Sequence, residues 1–234
     1  MDRLTRKELK TDRFAVEVQH SVEYMAGHRR QLIQWGGIAA AVLIIAVAVY
    51  FYRQHMHTVR QEALFAAMQI QNAQIGPAQN EFMVTFPSQP EREKAAIKAF
   101  TDLHAKYSGS DEGYIAEYFL GTNAADQGNL AEAEKRFKDV ADNAEKNVAS
   151  LAKLSLAQVY GAEGKMSDGE KVLRPLMDHP TAVVSKEEAT FALAQLIGNT
   201  NPQEARKLLE SLRNSKRPQI SSAAMTALAS IPQK

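Results

Sequence analysis

The chain has 234 residues, 45% hydrophobic and 24% charged, with a formal net charge of +1 at pH 7 and no cysteine. That length accommodates one ordinary domain plus extra segments. The near-zero charge gives no basic field of the kind that binds nucleic acid. The lack of cysteine excludes disulfides, thiol catalysis and cysteine-ligated zinc.

Residues 1–34 form a charged arm with a pattern in it. Phe14, Val18, Val22 and Met25 recur at helical spacing, and the Thr5–Glu8 stretch has the spacing of a capping box. The arm reads as a short helix near a bilayer surface or as a docking element for a cytoplasmic or membrane partner. From Trp35 to Tyr52 follows WGGIAAAVLIIAVAVYFY, 18 residues without a charge. About 17–25 apolar residues span a bilayer core as a helix. Trp35 stands at one end and Tyr50, Phe51 and Tyr52 at the other, where aromatics favour the membrane–water interfaces.

Two other readings of the span fit less well. A cleaved signal peptide would start near the first residue, but 34 residues precede this run, and bulky aromatics follow it. A buried core helix would need apolar cover on every side, which the polar remainder of the chain does not supply. Arg3, Arg6, Lys7, Lys10, Arg13, Arg29 and Arg30 precede the span, whereas only Arg53 and Arg60 follow it closely. Positive charge stays on the cytoplasmic side. The expectation is a single-pass protein of a bacterial inner membrane, with 1–34 cytoplasmic, 35–52 transmembrane and 53–234 periplasmic.

Residues 53–90 read as a juxtamembrane helix over Arg60–Gln74 and then a proline-containing loop over Ile75–Pro90. Residues 91–218 read as helices separated at Gly109, Gly128, Gly164, Pro180, Asn199–Asn201 and Arg217–Pro218, with no strand signal. Residues 219–234 read as a capping helix and tail; Ala223, Ala224, Ala227 and Leu228 give it a face that caps the helices before it or pairs with a second copy.

The helical region repeats. QGNLAEAEKRF from Gln127 aligns with EGKMSDGEKVL from Glu163, so that Gly128 meets Gly164, 36 residues on. Ala133 then meets Gly169, Phe137 meets Leu173, Leu120-Gly121 meets Leu156-Ala157, and Ala124 meets Tyr160. A third copy supplies Leu193-Ala194, Ile197, Ala205, Leu209 and Leu212, and a degenerate earlier one Ala96, Phe100 and Leu103. Small residues at Gly121, Ala157 and Ala194 on the first helix of each pair, and at Ala133, Gly169 and Ala205 on the second, let two helices cross closely. Gly128 and Gly164 stop the first helix, where a left-handed backbone is needed.

This spacing resembles the tetratricopeptide repeat, whose L-G-x2-Y…A-x3-F signature matches Leu120-Gly121 with Ala133 and Phe137, and in part Leu156, Ala157 and Tyr160. Glu117 and Lys153 stand where the signature has Trp, Ala124 where it has Tyr, and the repeat is 36 residues long against the usual figure of about 34. The resemblance implies an all-α fold, an α-solenoid of helical hairpins behind one transmembrane helix. Basic arm, single span and degenerate repeats together resemble the YfgM-like bitopic proteins of bacterial inner membranes. That resemblance implies a subunit ancillary to the Sec translocon and linked to periplasmic chaperones.

No catalytic constellation is legible. His55 and His57, two apart on a helix, point to different faces and suit a headgroup interface better than a metal. Zincin, nucleophile-elbow, phosphate-loop and dinucleotide motifs are missing. The expectation is therefore a non-enzyme without cofactor or metal. Helical phase points Tyr118, Asn123, Lys153, Gln158 and Gln195 toward a groove lined by the first helix of each repeat. The expected role is a membrane-anchored protein–protein adaptor whose partners are translocon subunits or periplasmic chaperones, with lipid contacted through the span. A scaffold or assembly factor of another envelope complex, self-associating through the final helix, is the alternative.

Overall fold

The computed structural model describes residues 29–77 and 83–231. The patterned arm around Thr5–Glu8 and Phe14–Met25 lies outside them. The chain divides into two compact units, Met1–Thr58 and Val59–Lys234.

In the first unit the described residues belong to helix α1, which runs Arg29–Gln71 and ends inside the second. No proline interrupts it. Trp35, Leu43, Ile45 and Phe51 are all exposed. This helix, apolar on all sides and uncovered by other described residues of its unit, is long and apolar enough to cross a membrane.

The second unit is helical apart from one small pairing. Strands β1 (Gln74–Ile75) and β2 (Thr85–Phe86) lie parallel, Gln74 opposite Thr85 and Ile75 opposite Phe86. The ladder lies in the stretch expected to be helix end and proline-containing loop, because two residues are too few to carry a period-two signal. Eight helices follow: α2 (Gln89–Lys106), α3 (Asp111–Asp126), α4 (Leu130–Asn143), α5 (Lys146–Ala162), α6 (Met166–Asp178), α7 (Lys186–Ile197), α8 (Pro202–Leu212) and α9 (Pro218–Ser230).

The helix boundaries follow local chemistry. Ser110, Asn129, Ser185 and Asn201 each accept a hydrogen bond from the backbone N–H three residues on, relieving a donor that has no intrahelical partner. Prolines open α8 and α9, where a missing N–H does no harm. Gly128 and Gly164 have φ of +76° and +75°. Behind each, two bonds close the helix end: Gly128 and Asn129 donate to the Ala125 and Ala124 carbonyls, and Gly164 and Lys165 to those of Gly161 and Tyr160. The third turn differs, for Gly198 keeps helical φ at −52° and Asn201 donates to the Ile197 carbonyl instead. The break between α4 and α5 at Ala144–Glu145 contains neither glycine nor proline and leaves no mark in the sequence.

Consecutive helices from α2 to α9 pack against one another, and α3–α5, α5–α7 and α7–α9 also touch. Thus α3, α5, α7 and α9 form one layer, with α4, α6 and α8 behind it. The core is the row of residues at the crossings. Ala133, Phe137, Leu156, Ala157 and Leu173 are buried, as are Ala194, Ala205 and Leu209. A Cβ at Gly121 would lie 2.8 Å from Phe137 Cε1, and one at Gly169 2.7 Å from Leu196 Cδ2. The space of the missing side chain is filled at Gly121 by Phe137 of the same hairpin and at Gly169 by Leu196 of the next.

Candidate functional site

The layer of first helices carries three clefts in series. The first, about 360 Å³, lies among α3, α4 and α5, with Tyr118, Thr122, Ser155 and Gln158 on its rim and Phe137 on its floor. The second, about 230 Å³, lies among α5, α6 and α7, between Gln158, Gln195, Leu173 and Leu196. The third, about 610 Å³, lies among α7, α8 and α9, bounded by Phe191, Gln195, Leu209, Thr226 and Ile231.

The repeat explains the series. Thr122, Gln158 and Gln195 occupy one repeat position, at offsets of 36 and then 37, and Ala125, Gly161 and Gly198 occupy the position three further on. Residues i and i+3 share a helix face. Each first helix therefore presents a polar rim residue and, one turn along, a small residue that opens the floor.

The sequence-derived groove residues divide on this geometry. Gln158 and Gln195 are exposed and each lines two clefts. Tyr118 lines the first cleft, its hydroxyl 3.1 Å from Ser155 Oγ and its ring tilted against Phe137 at 5.5 Å. Asn123 lines none of the three: its amide turns back to donate to the Phe119 carbonyl at 3.1 Å. Thr122, its neighbour, holds the rim position that Asn123 misses by one residue. Lys153, half-buried on α5, also lies off the row.

Several ion pairs join neighbouring helices away from the clefts, where Asp126 is the one charged lining residue. Arg60 Nε donates to Glu112 at 2.8 Å, joining the end of α1 to α3. Buried Glu117 accepts from Arg136 at 2.8 Å, with His104 3.7 Å away. Lys165 bridges Glu134 at 2.7 Å and Glu163 at 2.9 Å. Its hydrogen bond holds the Glu134 carboxyl below its ordinary value, and the same contacts raise the Lys165 ammonium. Burial raises the neighbouring Tyr160 phenol. The Glu188 carboxyl is lowered by the Ser185 hydroxyl of its capping box. The sequence did carry one sign of these seams: Glu117 occupies a repeat position where a large buried side chain belongs. Its partners, 13 and 19 residues away, were not legible.

Among the described residues no group of three His, Asp or Glu side chains is placed to hold a metal. The clefts offer apolar floors and hydrogen-bonding rims, and Asp126 is the one charged residue lining them.

A family model described as a tetratricopeptide repeat-like domain matches residues 28–189. A solved structure, that of the nearly identical TPR-like repeats of a Podosopora anserina kinesin light chain variant, superposes with a TM-score of 0.51 at 16% identity. The match covers 72% of this chain and 82% of that one, and it shows the likeness of fold. No curated protein sequence matches the chain significantly.

Proposed function

Because the chain belongs to the tetratricopeptide repeat-like domain family, we propose that it is a membrane-anchored adaptor that binds protein partners along its layer of first helices. The observation carrying this reading is the series of clefts at one repeat position, whose exposed rim amides Gln158 and Gln195 make no hydrogen bond to any described residue. Repeat stacking makes such a surface extended, and binding needs no covalent chemistry. Helix α1 supplies the anchor, since its apolar surface is stable only in lipid or under protein cover.

The excess of Lys and Arg before the span supports a cytoplasmic N-terminus and a periplasmic repeat domain at a bacterial inner membrane. The resemblance in layout to YfgM-like proteins supports a place beside the Sec translocon and its periplasmic chaperones. Photo-crosslinking in the native membrane from probes at Thr122, Gln158 and Gln195, with mass spectrometry of the products, tests both levels. Translocon subunits or periplasmic chaperones among the products support the whole reading. Components of another envelope machine keep the adaptor and remove the translocon. Crosslinks to the chain itself alone support a self-associating scaffold, a reading that exposed Met225 on terminal helix α9 favours.

A further inference from the structure

Charge is segregated along the second unit. Residues 59–205 hold 14 Lys and Arg against 21 Asp and Glu, whereas residues 206–217 hold Arg206, Lys207, Arg213, Lys216 and Arg217 against Glu210 alone. No acid follows Glu210 in the chain. The near-zero net charge of the whole protein hides this basic end.

Pairing separates it further. In the earlier hairpins Arg136, Lys165, Lys171 and Arg174 each lie against a carboxylate, and the unpaired Lys94, Lys135 and Lys146 each directly follow a glutamate. In the last hairpin Arg206 donates to the Ile231 carbonyl, and Arg217 donates to Ser185 Oγ at 2.9 Å with Glu188 3.4 Å away. Lys207, Arg213 and Lys216 are exposed and make no ion pair with any described residue.

The backbone that carries these three cations is fixed. The Ser215 N–H donates to the Leu212 carbonyl, the Arg217 N–H to Ser215 Oγ, and the Ser221 hydroxyl to the Arg213 carbonyl. Arg213 and Lys216 therefore flank one closed turn between α8 and α9, and Lys207 lies on α8, about 9 Å of helix rise before Arg213. Groups set on ordered backbone lose less freedom when a partner arrives. None of the three lines a cleft. A lipid surface is a poor match, because a helix that lies in a bilayer interface needs an apolar face to insert. Here Leu209 and Leu212 are buried, Leu208 packs on the core, and no large apolar side chain between Arg206 and Arg217 is exposed. Carboxylates on a polypeptide need nothing beyond the charges themselves.

We propose that this basic end is a second docking surface, separate from the cleft row, and that it takes an acidic polypeptide segment whose carboxylates lie against Lys207, Arg213 and Lys216. Contacts between exposed charges steer and select a partner more than they tighten its hold, and they fade as salt screens them.

The test uses the full chain in nanodiscs of phosphatidylcholine, a lipid without net charge. The probe is a peptide of alternating Glu and Ser with a neutral fluorophore, read by anisotropy, and a peptide with Gln in place of Glu is its uncharged counterpart. One variant combines Lys207→Gln, Arg213→Gln and Lys216→Gln. A control combines Lys94→Gln, Lys135→Gln and Lys146→Gln, the same loss of charge at exposed lysines elsewhere. The Glu peptide is expected to bind about tenfold tighter than the Gln peptide, and to weaken steadily as salt is raised past about 0.15 M, where screening acts beyond about 8 Å. The first variant is expected to lose about tenfold in affinity and the control under about twofold. Unchanged far-ultraviolet circular dichroism spectra check that both remain folded. Equal losses in the two variants would assign the binding to overall charge and overturn the proposal, as would equal binding of the two peptides or none of either. Capture by phosphatidylglycerol vesicles that exceeds capture by the peptide, and is lost in the first variant, would make the occupant a lipid surface. Salt-sensitive self-association in sedimentation, lost in the same variant, would make it a second copy, and either result overturns the acidic segment. Photo-crosslinking in the native membrane from a probe at exposed Asn214 reads the natural occupant: acid-rich captured segments are expected, and segments without an excess of acid, or no product, overturn the proposal. None of these outcomes bears on the clefts, which the probes at Thr122, Gln158 and Gln195 test separately.

Discussion

Gly121→Ala adds one methyl group at the tightest crossing in the first full hairpin. In an open helix the change would stabilise by about 1 kcal/mol, the difference in helix propensity. Here the new Cβ would lie 2.8, 3.0 and 3.2 Å from Cε1, Cδ1 and Cζ of Phe137. That ring is 2% exposed and abuts Tyr118 at 5.5 Å, so it yields only by moving its surroundings. Overpacking of this kind costs about 1–3 kcal/mol. The balance is a net loss of about 1 kcal/mol, with the sign opposite to propensity. A double-mutant cycle isolates the cause. In a Phe137→Leu background, itself less stable by about 1–2 kcal/mol, the obstructing ring atoms are gone and Gly121→Ala regains its propensity advantage. The coupling between the two positions is therefore about 2 kcal/mol, at the upper end of what contacting residues show. Urea unfolding of the full chain in mild detergent, followed by far-ultraviolet circular dichroism, measures all four corners. Stabilisation by Gly121→Ala alone, or additive effects, would show that the glycine serves no close approach.

The turn glycines should behave differently, since no atom lies within 4 Å of a Cβ at Gly128 or Gly164 but φ is positive at both. Alanine there is expected to cost about 1 kcal/mol with no coupling to Phe137, and asparagine less, as the same unfolding assay reads. Ser185→Ala removes a capping-box hydroxyl and should lower stability by about 1 kcal/mol. Arg136→Ala leaves buried Glu117 with only His104 nearby and should cost about 2–4 kcal/mol, whereas Arg174→Ala, at a pair between half-exposed groups, should cost under about 1 kcal/mol. The Glu134 carboxyl is held below its ordinary 4.5 by Lys165, so its contribution is full above that value and disappears as pH falls through the folded-state value. Glu134→Gln should therefore narrow the gap to wild type as the pH of the unfolding titration is lowered through the acid range.

The parts of the fold legible in the sequence were those that repeat. Gly121, Ala133, Phe137 and their partners in the next two hairpins stand out because packing demands the same sizes at the same phase in each copy. Gly128 and Gly164 stand out because only one residue type tolerates their backbone. What escaped was whatever happens once. The α4–α5 break at Ala144–Glu145 uses no special residue, the β1–β2 ladder is too short to have a period, and Arg60 meets Glu112 across 52 residues. The groove was half legible for the same reason. Gln158 and Gln195 share a repeat position and fall on the cleft row, whereas Asn123, placed by phase within one helix, falls a residue away from Thr122.

Position within the repeat accordingly carries more information about this site than polarity does. The small residues Ala125, Gly161 and Gly198 open the cleft floors, and the residue one turn before each forms the rim. Enlarging Gly161 tests that division of labour, because its Cβ would meet only Leu196 Cδ1, at 3.0 Å, the end of a side chain with room to rotate. Gly161→Ala should therefore gain helix propensity, about 1 kcal/mol, while Leu196 shifts toward the middle cleft, the smallest at about 230 Å³. Stability and binding then move in opposite directions: unfolding in urea occurs later while photo-crosslinking from Gln158 yields less partner product. A variant that gained stability and bound as well as wild type would show that the middle cleft takes no side chain.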